Sequence, residues 1–178
     1  MSIEQAPLSN PPQAYLDIIL PLIAKAKELL EKGEKLQPFA FVGNLNTQQI
    51  IAVLLDNESE NAKDKSASAI KMAAVHNSAD FVFTVMEVWS LRPDKVRQHE
   101  EIIEKYGSIG ASPYAMDVCS LMLETRHGLW VSQPAIKLKG ISKKKRTFGS
   151  VEFRFFSEVD GRFSHLLPNK DNKTGTLH

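Results

Sequence analysis

Apolar side chains recur at helical spacing near the start of the chain. After Asn10-Pro11-Pro12, a typical helix start, the apolar residues fall three or four positions apart: Tyr15, Ile18, Ile19, Leu22, Ala26, Leu29 and Leu30. Pro21 interrupts this stripe and predicts either a kink or the start of a new helix there, and Gly33 is a typical stop signal. The pattern predicts a helix from about residue 11 to about residue 32.

The next segments predict a hairpin and a second helix. Residues 38–42 and 49–55 have strand character and are separated by the turn-rich Gly43-Asn44-Leu45-Asn46. Residues 50–55 are continuously apolar, which predicts an interior strand covered on both faces. A helix with a small, alanine-rich inner face is then predicted to end near Val75.

The second half of the chain has mostly strand character. Phe81–Leu91 is rich in aromatic and β-branched residues, and a short charged helix is predicted to follow it up to Tyr106. Further strands are predicted at 115–126, 129–138, 150–159 and 162–167. The turns His127-Gly128 and Asp160-Gly161 are typical of tight hairpins, and Pro134 predicts an edge position or a bulge.

Hairpin connections dominate this order of elements, so the sequence predicts an α+β fold. We expect a mostly antiparallel sheet of six or seven strands with two or three helices packed on one face. Residues 1–10 are predicted to be a flexible N-terminus, 11–168 a single domain and 169–178 a flexible C-terminal tail.

Composition narrows the choice of environment and partner. The 178 residues carry a net charge of +1, so no global field attracts nucleic acid or an anionic membrane. The apolar runs are too short to span a bilayer, and we expect no membrane partner. Cys119 is the single cysteine, which excludes an intrachain disulfide and predicts a cytoplasmic protein.

Motifs for cofactors, metals and nucleophiles are missing from the sequence. Neither a P-loop nor a dinucleotide fingerprint is present, and the residue four after His99 is Ile103 rather than a second histidine. We therefore expect no cofactor and no metal site. Cys119 lies within a predicted strand and is interpreted as a small buried hydrophobe.

Glu87 is the main candidate for chemistry. It shares a strand face with Phe83, Val85 and Trp89, where a carboxylate needs a partner or has a raised pKa. The functional interpretation is a carboxylate-centred catalytic pocket beside Trp89, with Glu124 as a second acid. The alternative is a structural ion pair, for which Arg154 and Arg126 are the candidate countercharges.

A basic segment is the main candidate for binding. Its cations are Lys137, Lys139, Lys143, Lys144, Lys145 and Arg146, with no acid between them. One hypothesis is weak, salt-sensitive binding of RNA or DNA, with Phe148, Phe153 and Phe155 as stacking positions. The alternative is a solvated charged hairpin, because residues 151–155 alternate as an ordinary core-facing strand does.

These patterns favour a non-enzymatic binding or assembly protein over an enzyme. We expect it to act through its surface as a homo-oligomer, with a protein partner as a further possibility, because its strands are apolar on both faces while its helices cover one. The alternatives are an enzyme centred on Glu87 and Trp89 and a nucleic-acid-binding module that uses residues 137–146.

Overall fold

The computed structural model describes residues 6–56, 61–157 and 167. Three α-helices are present in this part of the chain: α1 (Gln13–Glu31), α2 (Ala62–His76) and α3 (His99–Tyr106), the last preceded by a 3₁₀ helix at Pro93–Gln98. The strands are β1 (Phe39–Asn44), β2 (Gln49–Leu54), β3 (Phe81–Leu91), β4 (Ala115–Thr125), β5 (Gly128–Ser132), β6 (Ile136–Leu138), β7 (Arg146–Phe148) and β8 (Arg154–Phe156).

Six of these strands form one antiparallel sheet in the order β2-β1-β3-β4-β5-β8. The long strands β3 and β4 lie at its centre and pair along their whole length, from Phe81 opposite Thr125 to Leu91 opposite Ala115. Strands β6 and β7 form a separate antiparallel hairpin. The predicted α+β class and the antiparallel six-stranded sheet are confirmed.

Helix α1 packs on one face of the sheet. Its buried residues, including Ile19 and Leu30, contact the side chains of Phe81, Phe83 and other residues on alternate positions of β3 and β4. The helix continues through Pro21. Phe148 of β7 and Phe153 complete this main core.

Helix α2 packs on the opposite face, which corrects the expectation that the helices lie on one face. Ile70 and Ala74 of α2 contact Val42 and Val82, which lie on the other alternate positions of β1 and β3. Because successive strand residues point to opposite faces, a strand with apolar residues at both odd and even positions can pack against a helix on each side. The apolar side chains on the two faces of β3 are therefore covered within the chain, by α1 on one face and by α2 on the other.

Strand β2 is an edge strand, so the expectation of an interior strand is wrong. It pairs with β1 alone among the described strands, and most of its residues are exposed. Its apolar run resembles that of a buried strand. The prediction failed because the sequence pattern does not reveal how the strands are ordered across the sheet. Ile50 and Leu54, which were expected in the core, lie at its margin.

The other edge of the sheet is covered by the N-terminal segment. Ser9 N donates to the Phe153 carbonyl at 3.0 Å, Phe155 N donates to the Pro7 carbonyl at 3.1 Å, and Ala6 is buried. Within the predicted flexible segment 1–10, residues 6–9 thus belong to the fold. Residues 1–5 and the predicted tail 169–178 lie outside the described residues.

Two of the predicted C-terminal strands are shorter or divided. The predicted strand 129–138 is interrupted at Gln133 and Pro134 into β5 and β6, and Pro134 lies at the break. Of the predicted strand 150–159, only Arg154–Phe156 is a strand among its described residues. The Asp160-Gly161 turn and residues 162–166 fall outside the described part of the chain. No helix within the described ranges is long and apolar enough to cross a membrane.

Candidate functional site

Glu87 forms a two-point ion pair with Arg146. The Nη1 and Nη2 atoms of Arg146 each lie 2.8 Å from one carboxylate oxygen of Glu87. The side chains of Arg146 and Glu87 are 23% and 26% exposed, so the pair is largely shielded from water. The carboxylate raises the pKa of Arg146, mainly through these hydrogen bonds. The partner is therefore neither Arg154 nor Arg126, the two candidates from the sequence.

The reason for this partner is the hairpin of β6 and β7. Phe148 is buried in the core beneath α1, which brings β7 across the α1 face of the sheet. Arg146, two residues earlier in β7, then reaches Glu87 on β3 from 59 positions away in sequence. Arg154 instead donates to the Ala6 carbonyl at 2.7 Å.

A cavity of about 740 Å³ opens beside this pair. Its apolar lining comes from the segments just before β1 and just after β2, at the open end of their hairpin, and from β3. Its charged lining includes Lys35 and Lys63. Trp89 is not part of the lining; its indole ring packs near Gly110 and is about half exposed. The predicted pairing of Glu87 with an aromatic wall at Trp89 is therefore not the arrangement in this cavity.

The second candidate acid lies far from Glu87. Glu124 pairs with Val82, whereas Glu87 pairs with Cys119, five residues away along β4. Five strand residues span about 17 Å, and the odd and even positions lie on opposite faces. Glu87 and Glu124 thus do not form the juxtaposed carboxylates that paired acid–base chemistry requires.

Cys119 is a buried thiol on the α1 face of β4. Burial, and secondarily the charge of Glu87, raises its pKa to about 12. A thiol in this state is protonated at neutral pH and is a poor nucleophile, in agreement with its interpretation as a small hydrophobe. Across the described ranges, no three histidine, cysteine or acidic side chains come close enough together to hold a metal ion.

The basic segment forms the β6–β7 hairpin, and two of its six cations are tied to the fold. Arg146 pairs with Glu87, and Lys139 Nζ lies 2.8 Å from Glu31 Oε2 at the end of α1. Thr147 donates to the other oxygen of Glu31 at 2.8 Å. These contacts fix the base of the hairpin against α1 and β3.

The other four cations are Lys137, Lys143, Lys144 and Lys145, and all are exposed. The aromatic residues predicted as stacking positions are unsuited to that role, because Phe148 and Phe153 are buried in the main core. Phe155 is half-buried and packs on Trp130 with 4.8 Å between ring centroids. The hairpin therefore offers charge, but no stacking platform for bases.

The free edge of β2 is a further candidate binding surface. The sequence did not predict it, because the apolar run of residues 50–55 was interpreted as an interior strand. Leu55 N donates to the Pro38 carbonyl at 2.9 Å. Because alternate residues of a strand direct their N–H and C=O groups to the same side, the backbone groups of Ile51 and Val53 also point towards β1. The N–H and C=O groups of Ile50, Ala52 and Leu54 consequently point away from the sheet.

Side chains on one face of this edge form an apolar patch. Ile50 is 43% exposed and Leu54 is 60% exposed. They lie on the same face as Phe39 and Phe41, whose rings stack with centroids 6.1 Å apart. Strand β2 contains no charged residue and no proline, the usual protection of a free edge.

In comparisons with protein-family models, curated proteins and solved structures, none matches the chain. Its function must therefore be argued from its own residues.

Proposed function

We propose that the protein is a non-enzymatic assembly protein that forms a two-fold homodimer by pairing the β2 strands of two copies. The observation that carries this proposal is the apolar edge of β2, with which no described strand other than β1 pairs. A free strand edge is a template for another strand, and proteins that stay monomeric usually protect it with charge, proline or a covering segment. The opposite edge of this sheet has such a cover in residues 6–9.

A second copy fits this edge because β2 is complementary to itself. In an antiparallel pair centred on Ala52, Ile50 of one copy lies opposite Leu54 of the other, on the same face. The outward backbone groups at positions 50, 52 and 54 then make about six hydrogen bonds between the copies. No like charges meet, since the strand has none, and two-fold pairing closes the assembly at a dimer.

The contact is small, which sets the expected affinity. One strand pair with its flanking apolar patch covers less than the roughly 1,600 Å² of a standard interface. We therefore expect dissociation constants from about micromolar to sub-millimolar. The single buried cysteine is compatible with a cytoplasmic location for this assembly.

Light scattering coupled to size-exclusion chromatography tests the proposal. Wild-type protein is compared with Ala52→Pro and Leu54→Lys from about 10 µM to 1 mM. Proline at position 52 removes an outward N–H and leaves the β1–β2 hydrogen bonds intact, because edge strands tolerate proline where the N–H faces solvent. Both variants should remain monomeric where the wild type has the mass of a dimer.

Met72→Lys is the matched control, because Met72 is an exposed apolar residue on α2, which packs on the sheet face opposite the one that presents Ile50 and Leu54. It should dimerise as the wild type does. A wild type that stays monomeric up to 1 mM, or equal loss of dimer in the control, would contradict the proposal.

An enzyme centred on Glu87 has less support. Its carboxylate is occupied by two hydrogen bonds from Arg146, and neither Glu124 nor Trp89 joins it at the cavity. A nucleic-acid-binding module has less support as well, because two of the three candidate stacking rings are buried.

A further inference from the structure

The tip of the β6–β7 hairpin presents an aliphatic side chain to solvent. Ile141 is fully exposed, and Leu138, at the end of β6, is largely exposed. The tip is nevertheless ordered by hydrogen bonds: Lys139 N donates to the Lys145 carbonyl at 2.8 Å, and Ser142 Oγ accepts from two backbone amides that follow it. A folded loop thus holds Ile141 outward.

Lysines surround this aliphatic tip. Lys137, Lys143, Lys144 and Lys145 are exposed, in addition to Lys139, which is paired with Glu31, and the segment 137–146 contains no acid. The chain as a whole has a net charge of +1, so positive charge is concentrated locally at this hairpin.

The base of the hairpin is anchored, so the tip has a fixed direction relative to the sheet. Arg146 is held by Glu87, Thr147 by Glu31, and Phe148 is buried in the main core. Lys27 of α1 lies 5.9 Å from the Phe148 ring centroid and adds a further cation near the base.

We propose that this hairpin is a peripheral attachment site for the anionic surface of a lipid bilayer. Each lysine near such a surface contributes favourable electrostatic energy, and an aliphatic side chain gains by entering the boundary between headgroups and acyl chains. A strong cluster of lysines around an exposed Ile141 combines both terms. The net charge of the chain predicted no membrane partner. It did not reveal this site, because net charge sums over the whole surface and hides a local cluster of lysines.

A bilayer fits these residues better than a nucleic acid does. The phosphates of RNA or DNA would use the lysines, but they offer no apolar environment for Ile141 or Leu138. Base stacking requires exposed rings, and Phe148, the aromatic residue of β7, is buried. This inference uses observations other than those that carry the proposed dimer, because it concerns the β6–β7 hairpin, which packs against α1 and β4.

A fluorescent label on Ile141→Cys tests the proposal directly. Cys119 is buried with a raised pKa, so a thiol-reactive, environment-sensitive dye reacts with the introduced cysteine. Vesicles of phosphatidylcholine with about 30% phosphatidylserine should shift the emission to shorter wavelength, whereas pure phosphatidylcholine vesicles should not. The same dye on Ser68→Cys, at an exposed position of α2, is the control and should not respond.

Vesicle flotation of unlabelled protein separates the two contributions. Replacing Lys143, Lys144 and Lys145 by glutamine should weaken partitioning roughly a hundredfold, and replacing them by arginine should preserve it. Ile141→Ser should weaken it by about tenfold.

The proposal is overturned if the Ile141 label responds equally to neutral and anionic vesicles, or to neither. It is also overturned if the glutamine variant floats as the wild type does. A label that responds to single-stranded RNA but not to anionic vesicles would assign the hairpin to nucleic acid instead.

Discussion

The ion pair between Glu87 and Arg146 should be structural, and a double-mutant cycle measures this. The variants are Glu87→Gln, Arg146→Gln and the two combined. Each single change leaves one charge largely buried without its partner, which is costly, whereas the double change removes both charges. The free energy of unfolding of all four proteins gives the coupling energy of the pair.

The expected magnitude lies between two known limits. Fully exposed pairs couple by about 0.2–1 kcal/mol, and breaking a fully buried pair costs about 3–5 kcal/mol. With side chains 23% and 26% exposed and two hydrogen bonds of 2.8 Å, we expect a coupling of about 1.5–2 kcal/mol. In a chain of 178 residues, single variants that lose about 2 kcal/mol should melt about 4–8 °C below the wild type.

Urea unfolding followed by circular dichroism supplies these energies. The exposed pair Lys25 and Glu28 on α1 is the internal reference and should couple by about 0.5 kcal/mol or less. If the Glu87–Arg146 coupling were no larger than this reference, the reasoning would be refuted. Glu87 would then be a solvated carboxylate open to acid–base chemistry.

Three further predictions concern packing and the buried thiol. Gly43→Ala should cost about 2–3 kcal/mol, because a Cβ there would lie 2.1 Å from the ring of Phe81, while Gly149→Ala, with open space around it, should be nearly neutral in the same urea assay. Ile70→Ala should cost about 2–5 kcal/mol by chemical denaturation, because Ile70 of α2 is fully buried between the helix and the sheet; a cost below 1 kcal/mol would contradict the placement of α2. Cys119 should resist iodoacetamide at pH 8–9 in the native state and react in guanidinium. Since its pKa of about 12 exceeds the unfolded value of about 8.5, its contribution to stability is present below pH 8.5 and lost as pH rises towards 12. Rapid native labelling would contradict this.

Local patterns predicted the elements that depend on local physics. Phe81–Leu91 was predicted as a strand with its observed bounds, because aromatic and β-branched residues favour strands. The turn after Thr125 was likewise indicated by a glycine, and Gly128 takes a positive φ where a Cβ would meet Phe155. These signals lie within a few residues of the structure that they determine.

Long-range arrangement could not be predicted in this way. The apolar run in β2 looks the same in an interior strand and in an edge strand, and only the order of the strands distinguishes the two. The alternation along β3 likewise allows a helix on either face, so the opposite placement of α1 and α2 depends on chain connections that no local window contains.

The candidate site shows the same limit. Glu87 was identifiable, because a carboxylate in an apolar strand needs a partner. Its partner was not identifiable, because Arg146 looked like one cation of a solvated run. Phe148, two positions later, is buried and thereby brings Arg146 to β3. The burial of Phe148 depends on the packing of β7 against α1, which the local sequence does not reveal.

Residue-resolved amide exchange across protein concentration tests the central claim most directly. The amides of Ile51 and Val53 face β1 and serve as internal references, while those of Ile50, Ala52 and Leu54 face away from the sheet. We predict that exchange at 50, 52 and 54 slows as the protein is concentrated from about 10 µM to 1 mM, with 51 and 53 protected throughout. Exchange at the three outward amides that stays fast at every concentration would contradict assembly through β2.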